Sequence, residues 1–77
     1  MNLISKAIQH AGGVTRLAQA CNVTYQAVRR WEAAGRLPRK ELTGETQYAR
    51  AIARIVNGRV SAKALLDQTR KAWRDAA

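Results

Sequence analysis

The chain of 77 residues has no phenylalanine, a single cysteine, a single proline and a single histidine, and only five acidic side chains. Each scarcity removes a class of protein. A lone Cys21 cannot supply the disulfide framework of a small secreted domain. With His10 as the one imidazole, no metal cluster, thiol redox pair or nucleophile–base pair can be assembled, so no metal and no cofactor is expected. The carboxylates Glu32, Glu41, Glu45, Asp67 and Asp75 are scattered and would pair only by accident of folding, and the five glycines form no phosphate-cradling loop. An enzyme is therefore not expected. No apolar run approaches the roughly 20 residues of a membrane span, and the opening MNLISKAIQHAGG lacks the apolar core and cleavage site of a signal peptide. These lacks predict one globular domain over residues 1–77, without membrane association, in a reducing, cytoplasmic compartment.

What is abundant is positive charge. Fourteen Lys and Arg stand against five Asp and Glu, for a net charge of +9 and a pI near 11.2. The basic residues run through both halves with no terminal basic tail, so the positive surface belongs to the fold. Its expected partner is a polyanion.

Apolar spacing predicts helices throughout. Leu3, Ile4, Ala7, Ile8 and Ala11 recur at steps of three and four, ending at Gly12-Gly13. A short helix with Leu17 and Ala18 inward follows and is interrupted at Cys21-Asn22-Val23, where Asn tolerates the left-handed region. Thr24 is placed to cap a third helix that turns Val28 and Trp31 inward and stops at Ala34-Gly35. The stretch from Arg39 to Thr46 reads as a loop, since Gly44 would break any turn opened by Pro38. From about Glu45, Tyr48, Ala51, Ile52, Ile55 and Val56 restore the helical period. Ser61 is placed to cap a last helix, about 62–76, with a stripe of Leu65, Leu66, Thr69, Ala72 and Trp73. No strand alternation is present. The expected class is all-α with five helices.

The segment from about 14 to 33 joins two short helices through three or four residues, a helix-turn-helix pattern. Two packed helices in any small bundle is the plainer alternative. The spacing of Leu17, Ala18, Val23, Ala27, Val28, Trp31, Gly35 and Pro38 resembles the lambda-repressor-like helix-turn-helix of phage Cro repressors and YdaS-like antitoxin proteins. The later Asn57-Gly58-Arg59-Val60 turn before a capped helix is similar to a second landmark of that family. Asn22 stands where Gly is commonest in it, and residues 40–46 lengthen the region after Pro38.

The resemblance implies a five-helix lambda-repressor-like bundle and a sequence-specific regulator, most like a Cro repressor, that inserts its third helix into the major groove of double-stranded DNA. The residues it assigns to base edges are Tyr25, Gln26, Arg29 and Arg30: Gln can pair with adenine in two places, and Arg with the O6 and N7 of guanine. A solvated basic helix face is the alternative for Arg29 and Arg30. Phosphate contacts are expected from Thr15, Arg16 and Thr24 ahead of the groove helix and from Arg36, Arg39 and Lys40 behind it. The basic residues of the later helices read as solubilising surface.

One such module buries only about 600–1,000 Å² on DNA, so a homodimer on a palindromic operator is expected, with half-sites about 34 Å apart. The location implied is the nucleoid of a bacterial or phage-infected cell. The stripe around Trp73 leaves three burials open: its own domain, a homodimer contact, or a membrane surface, the last disfavoured by Asp67 and Asp75. The stripe also motivates a second reading, an antitoxin-like module that binds a protein partner through the C-terminal helix. RNA is a weaker alternative, because four aromatics offer few stacking platforms for unpaired bases.

Overall fold

The computed structural model describes residues 2–76, and among them every regular element is a helix. These are α1 (Leu3–Ala11), α2 (Val14–Cys21), α3 (Tyr25–Ala34), α4 (Arg39–Leu42), α5 (Tyr48–Ile55) and α6 (Ala62–Ala76). The all-α expectation holds, with one more helical turn than the apolar spacing indicates.

Local chemistry sets the joints. The Asn2 side chain accepts from the Ile4 amide at 2.9 Å and starts α1. Gly12, at φ 93°, ends it by donating to the Ile8 and Gln9 carbonyls, a conformation that a Cβ would strain. Asn22 takes the left-handed conformation at φ 57° and ψ 46°, and the Val23 amide closes the turn on the Ala18 carbonyl at 3.0 Å. Thr24 Oγ1 accepts from the Ala27 amide at 3.1 Å and so caps α3; Ser61 Oγ does the same for the Ala64 amide at 3.0 Å. Gly35 closes the far end of α3.

One apolar cluster holds the helices together. Ile4, Leu17, Val28, Leu37, Ile52 and Leu65 are almost wholly removed from water, each burial contributing about 1.5–3 kcal/mol. Ala18 and Cys21 fill the narrow contact between α2 and its neighbours. Helix α2 is central, packed on α1, α3 and α5, while α6 closes the bundle against α1, α4 and α5. The α6 stripe is thus accommodated within its own domain: Leu65 and Thr69 are buried, and Leu66, Ala72 and Trp73 half-buried.

The segment after Pro38 corrects the loop expectation. Pro38, at φ −59°, leads into a single helical turn over Arg39–Leu42, with the Glu41 amide bonded to the Pro38 carbonyl at 3.0 Å. That turn carries the Glu41 carboxylate inward rather than onto the surface. Glu41 is buried, accepting from the Tyr48 and Ala49 amides, both at 2.9 Å, and from the Thr46 hydroxyl. The residue preceding α5, Gln47, makes no side-chain cap, so Glu41 caps the helix from seven residues upstream, its negative charge at the positive end of the helix dipole. Helix α5 accordingly begins at Tyr48, later than the periodicity suggested.

Candidate nucleic-acid interface

Helix α3 buries Val28 and Trp31 against the bundle and turns its opposite side to solvent. At 3.6 residues per turn, Tyr25, Gln26, Arg29, Arg30 and Ala33 occupy an arc of about 140° facing away from that pair. All five are exposed, Tyr25 at 51%. The four side chains expected to read bases therefore share one outward face. Trp31 anchors the helix from beneath, its ring 4.9 Å from that of Tyr48 on α5.

The cations of this face are Arg29 and Arg30. Glu32, the acidic residue of α3, is drawn to its edge, 3.5 Å from Arg29 Nη1 and bonded to the Ser5 hydroxyl at 3.3 Å. Arg29 remains 58% exposed, and so weak a surface pair leaves its guanidinium available to another partner.

The residues ahead of α3 are exposed as well. Thr15 and Arg16 lie in the first turn of α2, whose N-terminus has no side-chain cap, so its leading amides are unclaimed. The Arg16 stem runs back over Gly12, where a Cβ would meet its Cδ at 3.3 Å. Thr24 is exposed and already engaged as the α3 cap, which uses its lone pair and leaves its hydroxyl proton free.

Behind α3 the picture is less simple. Lys40 is exposed and directed by the α4 turn. Arg36 and Arg39, by contrast, are both stacked on Trp73 of α6, their guanidinium carbons 3.7 and 4.8 Å from the ring centroid. Arg36 also donates to the Ala72 carbonyl at 3.4 Å and is half-buried. Sequence reasoning assigned these two arginines to phosphate and Trp73 to an apolar stripe; the folded chain brings all three together.

Cys21 is no part of this surface. Burial pushes its thiol from the ordinary 9.0 up to about 11, with the Glu41 carboxylate adding to the shift, so it carries no thiolate at neutral pH.

Two residues of structural weight were missed by the sequence reading. Gln68 donates to the Gly35 carbonyl at 2.7 Å and accepts from the Leu3 amide at 3.0 Å. Glu41 is the other. Neither has a local signature: Gln68 is one polar residue within a helical period, and Glu41 lies in a stretch with no period at all.

Taken together, the geometry is an exposed helix face that carries Arg29 and Arg30 beside Tyr25 and Gln26, flanked by further cations and built on two helices joined by a three-residue turn. Over 49 residues the sequence is 45% identical to the "8.4 kDa cro protein" of Escherichia phage HK022. The chain is similar to a phage Cro protein. That finding bears out the Cro-type resemblance carried by the Leu17 to Pro38 spacing. The alignment covers 64% of this chain and 64% of the phage protein, so the likeness spans less than two thirds of either. No protein-family model matches the chain, and no solved structure matches it.

Proposed function

We propose that the chain is a Cro-like, DNA-binding transcriptional regulator that acts by occupying double-stranded DNA, without catalysing a reaction. The observation that carries this reading is the α3 face: Gln26, Arg29 and Arg30 exposed together with Tyr25, on a capped helix fixed from beneath by Val28 and Trp31. The phage Cro likeness supports it independently. In this reading α3 lies in the major groove, Gln26 and Arg29 read base edges, and Tyr25 packs on a thymine methyl or a phosphate. Thr15, Arg16, Thr24, Arg36, Arg39 and Lys40 contact phosphates and set register. Two copies occupy a palindromic operator, since one module covers too little DNA for tight binding.

The antitoxin-like alternative is motivated by the Trp73 stripe of α6. With that stripe packed on its own bundle, no observation favours it.

The test is selection of bound sequences from a random duplex pool at near-physiological salt. An enriched palindrome with half-sites one helical turn apart is expected. The Gln26→Ala/Arg29→Ala double variant is expected to keep salt-sensitive binding and lose the enrichment. Enrichment of the same palindrome by that variant would refute the assignment of α3 to the groove.

A further inference from the structure

The segment that leaves α3 is held almost entirely by one helix. Gln68 of α6 donates to the Gly35 carbonyl at 2.7 Å. Thr69, itself buried, accepts from the Leu37 amide at 3.1 Å, and Trp73 Nε1 donates to the Leu37 carbonyl at 2.8 Å. Three side chains on one side of α6 thus fasten three backbone groups within three residues. On this fixed segment Arg36 stacks at 3.7 Å and Arg39 at 4.8 Å from the centre of the Trp73 ring. Arg30 of α3, Arg36 and Trp73 line one surface cleft of about 270 Å³, so the stack sits beside the basic face of the groove helix.

A guanidinium stacked by its plane keeps its edge donors free. Arginine has five N–H groups, and Arg36 uses one, toward the Ala72 carbonyl. Stacking therefore does not withdraw these arginines from a phosphate. It removes much of the rotamer freedom that a long side chain would otherwise lose on binding.

We propose that Trp73 is a positioning residue for DNA binding: it pre-orders Arg36 and Arg39 as a pair of phosphate clamps at the trailing end of α3. The inference rests on the DNA-binding reading above. It gives α6 a role in affinity while leaving sequence preference to α3.

The experiment compares the wild type with Trp73→Ala, Trp73→Leu and Trp73→Phe in the full chain, measuring duplex affinity as a function of salt at a temperature where all are folded. Trp73→Leu keeps apolar volume without a ring and serves should Trp73→Ala not fold. In both, duplex affinity is expected to fall about 5- to 150-fold at every salt concentration, the ordering of two long side chains, while the slope of log K against log salt stays close to the wild type because both cations remain, and the preference for the selected palindrome over random duplex is unchanged. Trp73→Phe, which keeps an aromatic face, is expected to restore the wild-type affinity. In the Trp73→Leu background, Arg36→Ala is expected to cost less affinity than it does in the wild type, because the arginine is no longer pre-ordered. Wild-type affinity in the Leu and Ala variants, or additive losses with Arg36→Ala, would overturn the proposal while leaving the DNA reading intact. A wild type with no salt-dependent duplex binding would remove both.

Discussion

Glu41→Ala is the most severe single change the structure predicts outside the apolar core. The carboxylate is 6% exposed and accepts two backbone amides and a hydroxyl. Hydrogen bonds to a charged group contribute about 1.5–3 kcal/mol each, and a donor left buried without a partner keeps its full desolvation cost. The Ala49 amide sits at a fully buried residue and has no route to water, whereas the half-buried Thr46 hydroxyl can turn outward. Counting the Ala49 bond in full and the Tyr48 bond in part, which together are the cap of α5, the expected cost is about 2–4 kcal/mol. A domain of this length has about 4–12 kcal/mol in total. At about 4–8 °C per kcal/mol, the melting temperature should fall by about 8–32 °C. Glu41→Gln keeps one oxygen for the amides but turns an NH₂ toward a donor and loses the charge at the dipole, so a loss of about 1–2 kcal/mol is expected. Urea unfolding followed by far-UV circular dichroism measures both. An Ala variant within about 1 kcal/mol of the wild type, the size of one ordinary hydrogen bond, would refute the view that this carboxylate caps α5.

Other expectations are smaller in scale. Burial, with the Glu41 carboxylate adding to it, raises the Cys21 thiol from its ordinary 9.0 to about 11 in the folded chain. Stability should therefore be fully present below pH 9 and decline as pH rises toward 11, where only the unfolded chain releases the proton; Cys21→Ala should flatten that limb of a stability–pH profile. Thiol-specific labelling at neutral pH should be slow in the folded protein and fast in denaturant. Asn22→Ala forces a Cβ-bearing residue without a local hydrogen-bonding group into φ 57° and should cost about 1–2 kcal/mol, while Asn22→Gly should melt within a few degrees of the wild type.

What the sequence disclosed is what is decided locally. Asn22, Thr24, Gly35 and Ser61 act on groups within four residues of themselves, and their roles follow from residue type and the neighbouring apolar period. The outward face of α3 was legible for the same reason, because knowing that Val28 and Trp31 point in fixes which side chains point out. Helix α4 is four residues long and has no period to detect. Its reason to exist is Glu41, whose partners lie seven and eight residues ahead, across a glycine that argued for a loop. Arg36 and Trp73 are further apart still, and a basic residue after α3 gives no sign that an indole will cover it. Composition shows that cations are present; only the packing of α6 shows which two are held.

The Gln68 contacts couple the order in which this chain is made to the moment it becomes competent. Gln68 lies 65 residues beyond Leu3 and 33 beyond Gly35, yet it bonds to both. Helix α3 and its turn are therefore translated before the side chain that braces them. A nascent chain interrupted before α6 retains the exposed face of α3 without the support that fixes its trailing end.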